Sequence, residues 1–217
     1  MTIASLPTKT YTPDEYLDLE VKSETRSEYR NGEIIQMTGG TPTHNELIRA
    51  LTVALSLGLH RKPYQLFLAD QRLWIPEPNI YTYPDVMIVP RPVELKPGRK
   101  DTVMNPIVIA EVLSDSTEAY DRGEKFAAYR TIETFQEYLL IDQSQPHLEQ
   151  YVKQSANQWL FTEYNGLESK VMLATVQVEI ALADLYENVE FAERLVGDDP
   201  KGEEMGGSEP QAQDIPR

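Results

Sequence analysis

The chain has 217 residues, no cysteine, and 35 acidic against 20 basic side chains, for a net charge of −15. That length suits one domain with a sizeable core, and the lack of cysteine excludes a disulfide framework and any thiolate metal site. No apolar stretch approaches the ~20 residues of a membrane span, and Met1 to Thr10 lacks the apolar core of a secretion signal, so a cytoplasmic location is the default expectation.

Thr12-Pro13-Asp14-Glu15 is a capping box with proline at the first helical position. Tyr16, Leu17 and Leu19 then predict a short helix ending near Val21. Asn31-Gly32, between extended stretches at 27–30 and 33–37, is the strongest short hairpin signal. Thr43-His44-Asn45-Glu46 repeats the capping-box pattern. Leu47, Leu51, Ala54, Leu55 and Leu59 follow at helical spacing, predicting a long helix to about His60. From Tyr64 the pattern turns extended, with strands predicted over 64–68, 73–75, 85–89 and 106–113. The polar turn 114–117 is able to cap a helix over 118–130, with Phe126 and Tyr129 on its core face. Three further strands, 137–141, 147–153 and 158–164, suggest an antiparallel meander. An extended stretch at 171–180 and a helical turn at 182–186 follow. Residues 197–217 hold six acidic and two basic side chains, contributing −4. They predict a disordered acidic tail after a folded domain over 1–196. The order of elements predicts an α/β layout around one mixed sheet.

Two carboxylates in apolar runs carry the chemistry. Asp85 opens Val86-Met87-Ile88-Val89 after Tyr83-Pro84, and Glu111 interrupts Ile107-Val108-Ile109-Ala110 and Val112-Leu113. A carboxylate within or at the edge of a buried strand is costly unless its charge is compensated. A divalent metal compensates two such groups that meet on neighbouring strands. Asp85 and Glu111 are therefore candidate metal ligands; the alternative is a turn Asp and a solvent-facing Glu. Lys125 follows Asp121 by four residues and shares a helix face with it and with Tyr129. It either points at the carboxylates or makes a surface pair with Asp121. Asp70 is a third acidic candidate, or a turn residue. Glu28 either completes the acidic cluster or pairs with Arg26 or Arg30. His44, in the first turn of a helix, either helps bind a phosphate or is a part-exposed cap residue. Lys96, Arg99 and Lys100, with Arg91 nearby, form one local basic cluster, which either contacts a phosphate backbone or is a solvated loop. The acidic charge argues against non-specific DNA coating, which goes with basic excess. A glycine-rich phosphate loop, a nucleophile elbow and a zinc site are absent.

The blocks Tyr83-Pro84-Asp85-Val86, Pro106-Ile107-Val108-Ile109-Ala110-Glu111-Val112-Leu113-Ser114 and Tyr120-Asp121-Arg122-Gly123-Glu124-Lys125-Phe126 closely resemble the Uma-two family of bacterial endonucleases. That family belongs to the PD-(D/E)XK nuclease superfamily. Ser27-Glu28-Tyr29-Arg30-Asn31-Gly32-Glu33, His44-Asn45 and Tyr138-Leu139-Leu140-Ile141-Asp142 extend the likeness. It implies a restriction-endonuclease-like α/β fold with a mixed central β-sheet flanked by helices. It also implies an endonuclease that hydrolyses DNA phosphodiester bonds with Mg²⁺, or Mn²⁺ in its place. Asp85 and Glu111 would hold the metal, and a lysine would orient or activate the attacking water. Leu113 stands where that lysine is expected, two residues after Glu111, and Lys125 is the candidate relocated lysine. The other reading is a weakly active or inactive nucleic-acid or protein interaction module on the same fold. Cutting both strands of a duplex is simplest with two sites, which suits a homodimer.

Overall fold

A computed structural model describes residues 9–191; the tail expected over 197–217 lies outside them. Local chemistry sets the first elements. The Thr12 hydroxyl accepts the Glu15 N–H, and the Glu15 carboxylate accepts the Thr12 N–H at 2.7 Å, so α1 (Pro13–Glu20) opens on a complete capping box. Asn31 and Gly32 both hold positive φ, 47° and 103°, which a type I′ turn requires. Across that turn β1 (Ser27–Arg30) pairs antiparallel with β2 (Glu33–Gln36). Helix α2 (Pro42–Gly58) starts earlier than its sequence pattern predicts. Thr41 rather than Thr43 is the N-cap, its hydroxyl accepting the His44 N–H at 3.0 Å. Pro42 takes the first helical position, where a missing N–H costs nothing.

The central sheet is mixed, as expected, but two further sheets accompany it. Strands β3 (Tyr64–Leu68), β6 (Val86–Pro90), β8 (Val108–Leu113), β9 (Glu137–Asp142), β10 (His147–Ser155) and β11 (Gln158–Asn165) form six strands in the order β11-β10-β9-β8-β6-β3. A five-stranded sheet, β2-β1-β5-β4-β7, adds β4 (Arg72–Ile75), β5 (Ile80–Thr82) and β7 (Thr102–Val103). The stretch read as extended over 171–180 is instead a hairpin, β12 (Lys170–Leu173) with β13 (Val178–Ala181). It turns back where Gln177 holds φ of 55°.

Both faces of the six-stranded sheet are covered. Val86, Ile88, Val108, Ala110 and Val112 pack under Leu47, Leu51 and Leu55 of α2, with α5 (Leu182–Leu185) and the β12–β13 hairpin. Met87, Val89, Ile109, Leu113 and Leu140 form the other face, against Leu73 and Ile75 of the five-stranded sheet. Strands β8 and β9 are parallel, and a parallel pair cannot be joined by a hairpin, so their connection crosses over the sheet. That crossover is one helical run: α3 (Glu118–Tyr120), a π-helical turn (Asp121–Lys125) and α4 (Phe126–Tyr129). Ala128 and Tyr129 anchor it on the second face. The helix predicted over 118–130 is present, with an unexpected π-helical centre. Every residue of β8 is buried. Burying each Val, Ile or Leu contributes about 1.5–3 kcal/mol, whereas a buried ion left without compensation costs several kcal/mol. Glu111 is the one costly residue in that strand.

Candidate active site

Antiparallel pairing of β6 with β8 sets Val86 opposite Ala110, so Asp85, one residue earlier, stands opposite Glu111. Alternation along β8 turns Glu111 to the face shared by Ile109 and Leu113, the face on which the crossover helix lies. The Asp85 N–H donates to Glu111 Oε2 at 3.3 Å, and Asp85 Oδ2 accepts the Val112 N–H at 2.8 Å. Just before Asp85, Tyr83 is fixed by donating to Glu20 Oε1 (2.7 Å) and accepting from Arg72 Nε (2.8 Å). From above, Lys125 Nζ lies 2.9 Å from Glu111 Oε1 and 3.2 Å from Asp121 Oδ1. Tyr129 OH donates to the same Glu111 oxygen at 2.7 Å. The π-helical turn buries both Asp121 and Lys125.

The five-stranded sheet adds Glu28 from β1. Its carboxylate accepts from Thr82 and from Arg30 Nε (3.1 Å) and lies 3.9 Å from Lys125 Nζ. Arg30 also stacks 3.4 Å over the Tyr120 ring. From the first turn of α2, His44 Nε2 reaches Asp85 Oδ1 at 3.3 Å. Glu28, His44, Asp85, Glu111, Asp121 and Lys125 line one cavity of about 370 Å³.

The charges do not balance. With all four ionised, Glu28, Asp85, Glu111 and Asp121 exceed Lys125 and Arg30 by two negative charges before His44 is considered, and by one when Glu111 holds a proton. Asp121 Oδ1 is buried and makes no hydrogen bond, although Lys125 lies beside it. Burial pushes the Glu111 carboxyl up to about 8; Lys125 opposes this, and Asp85 and Asp121 add to it. Burial disfavours the Lys125 ammonium, but Glu111, Asp121 and Glu28 hold it well above its ordinary range. Glu28 would also rise on burial, yet Lys125, Thr82 and Arg30 bring it below its usual value. Burial opposes charging of His44, and Asp85 outweighs that, raising it. Burial and Glu111 keep the Tyr129 hydroxyl protonated as a donor. An oxygen-rich site with excess negative charge and an unbonded buried carboxylate oxygen fits a hard divalent cation.

Five of the six sequence candidates, Asp85, Glu111, Lys125, Glu28 and His44, therefore line the same cavity. Asp70 does not. Its side chain is 91 % exposed in the turn after β3, 3.6 Å from Arg26, so the turn-residue alternative is the one observed. Asp121 and Tyr129 were missing from the candidates, though their four-residue spacing on either side of Lys125 carried the signal. Arg30 and Tyr120 gave none, since the sheet that brings Arg30 in is built from strands two to four residues long. In the basic cluster, Arg99 is tied to Asp101 at 2.6 Å, and Lys96 sits over the Trp74 ring. A second acidic group lies on β10 and β11, where ligand atoms of His147, Glu149 and Glu163 fall within 4.8 Å of one another.

A family model, Uma2, described as "Putative restriction endonuclease", matches residues 13–184. The chain belongs to the Uma2 family. Uncharacterized protein sll1609 of Synechocystis sp. is 40 % identical over 171 residues, 79 % of this chain and 97 % of that protein. Uncharacterized protein slr1290 of the same organism is 30 % identical over 189 residues, 86 % of this chain and 97 % of its own length. A crystal structure from Anabaena variabilis, of "a putative nuclease belonging to DUF820", superposes with a TM-score of 0.65 at 18 % identity. It covers 80 % of this chain and 96 % of that one. At that identity the likeness speaks to fold alone, and the fold is the restriction-endonuclease-like one expected of a Uma2 chain. No helix among the described residues is long and apolar enough to cross a membrane.

Proposed function

We propose that the chain is a divalent-metal-dependent nuclease that hydrolyses DNA phosphodiester bonds in the cavity around Asp85 and Glu111. The observation that supports this reading most is Lys125, held 2.9 Å from Glu111 although Leu113 occupies the expected lysine position. A carboxylate pair and a lysine thus stand together, with the lysine arriving from the crossover helix. Asp85 and Glu111 would hold Mg²⁺ or Mn²⁺, and Asp121, paired with Lys125 but with no hydrogen bond to its Oδ1, lies close by. When bound, the cation would stabilise the charge that builds on the phosphoryl oxygens.

The chain's own residues do the rest. Hydrolysis joins a water oxygen to phosphorus, breaks one P–O ester bond, and passes a proton to the departing sugar oxygen. The Lys125 ammonium stabilises developing negative charge near the attacked phosphorus. Tyr129, a neutral donor, and Lys125 fix the orientation of the Glu111 carboxylate. His44 orients Asp85, and in this reading it hands a proton to the leaving oxygen. The test is cleavage of plasmid and oligonucleotide DNA with Mg²⁺ or Mn²⁺ by the native chain, Asp85→Asn, Glu111→Gln and Lys125→Met. Equal activity in all four would reject the assignment. No cleavage by the native chain, with no heat of metal binding, would favour the interaction module.

A further inference from the structure

The depth and chemistry of the cavity limit what reaches it. Glu28, Glu111, Asp121 and Lys125 are each no more than 7 % exposed, and they line a space of about 370 Å³. Pockets that enclose one drug-sized molecule run from roughly 300 to 1,000 Å³, so this one has room for about one nucleotide. A nucleotide that must enter such a pocket from a duplex has to leave the stack and its partner first, at a cost of a few kcal/mol. An unpaired nucleotide avoids that cost.

The lining also lacks the means to grip a polyanion. Among the described residues, Arg30 and Lys125 are its only Arg or Lys side chains, and both are already tied to carboxylates. Much of the wall is neutral, with Thr38, Asn45, Ser116 and Gln143 offering amide and hydroxyl groups. Duplex binding rests on several Lys or Arg contacts to phosphates, and long single strands use a basic groove as well. This chain carries −15 overall. In the same wall the Tyr120 hydroxyl is buried without a hydrogen-bond partner. Burial raises that phenol to about 12, so it stays a donor.

We infer that the site accepts a short unpaired phosphodiester, a free dinucleotide or the end of a single strand, and excludes the intact duplex. The Tyr120 hydroxyl donates a hydrogen bond to the bound nucleotide. This rests on the nuclease reading and narrows it.

The full chain with Mn²⁺ is given three substrates of related sequence: a dinucleotide, an end-labelled single strand of about 20 nucleotides and its blunt duplex. The dinucleotide or the single strand should be cleaved about 10-fold or more faster than the duplex, because only the duplex must unstack. Cleavage of the dinucleotide alone assigns a small-molecule source; end-first cleavage of the single strand assigns a strand end. Single-strand binding in Ca²⁺ should show a slope of log K against log salt near −1, about −0.7 per neutralised phosphate. Tyr120→Phe, which keeps the ring under Arg30, should raise KM several-fold and leave kcat unchanged. Duplex cleavage at an equal or higher rate, or a salt slope of about −4 or steeper, overturns the inference and leaves the nuclease reading standing. An unchanged KM in Tyr120→Phe removes the role of its hydroxyl. No cleavage of any of the three removes both readings.

Discussion

Two acidic clusters occupy one face of the same sheet, and a single π-helical turn serves them both. Register aligns Glu111, Leu140, Glu149 and Glu163 in one row across β8, β9, β10 and β11. Lys125 descends on Glu111, while Arg122, from the same turn, pairs with Glu149. At Glu149 the donors suffice: Arg122, the Tyr151 hydroxyl at 3.0 Å and His147 at 3.5 Å serve one buried carboxylate. At Glu111 they do not, because Asp121 and Glu28 share the same ammonium and Asp85 stands beside the Glu111 carboxylate. Closeness of acidic oxygens therefore separates the clusters poorly. What sets the Glu111 cluster apart is negative charge left over after burial.

The comparison breaks most sharply at the two cations. Lys125→Met strands buried carboxylates and should cost about 3–5 kcal/mol in denaturant unfolding. Arg122→Met, with its guanidinium partly in water and the Tyr151 hydroxyl still donating to buried Glu149, should cost less, about 1–2 kcal/mol. Equal losses would erase the distinction. Divalent metal sharpens it. At about 100 times its Kd, Mg²⁺ or Mn²⁺ should stabilise the native chain by about 2.7 kcal/mol. Calorimetry should show that shift abolished in Asp85→Asn with Glu111→Gln and retained in Glu163→Gln.

Acidity gives a third, smaller test. With Glu111 raised from 4.5 to about 8, the folded state binds the proton more tightly than the unfolded chain. Its stabilising contribution is complete below about 4.5, falls as pH rises through the window, and is gone above about 8. Lys125, raised above its ordinary range, does not titrate within that window. Unfolding free energies across it should fall by at most about 1.4 kcal/mol per pH unit from this one group, and Glu111→Gln should flatten that part of the profile. Smallest of all, Asp70→Ala removes only an exposed pair with Arg26. Both stability and hydrolysis should stay within about 0.5 kcal/mol of native.

The helices and the first hairpin were legible because their signals are local: Thr12 with Glu15, Asn31 with Gly32, leucines on one face of α2. Asp85 and Glu111 were legible as charges where apolar strands left no room for them. What the sequence hid is non-local. Only the β6–β8 register puts the two carboxylates opposite each other, and only the parallel β8–β9 pair requires the crossover that delivers Lys125. Glu28 comes from a second sheet whose β5 and β7 are three and two residues long, below any readable periodicity. Asp70 stays open between two readings in the sequence because an acidic residue after a strand looks alike in a turn and beside a metal.

The π-helical turn gives this chain an unusual mutational grammar. An α-helix advances about 100° per residue, so losing one residue between Asp121 and Lys125 would restore α geometry and swing one of those side chains off the site. Gly123, exposed and in that turn with no atom within 4 Å of where a Cβ would stand, tolerates replacement. Its deletion should be far more damaging than its exchange for alanine. Spelling errors in this turn are forgiven; a skipped letter is not.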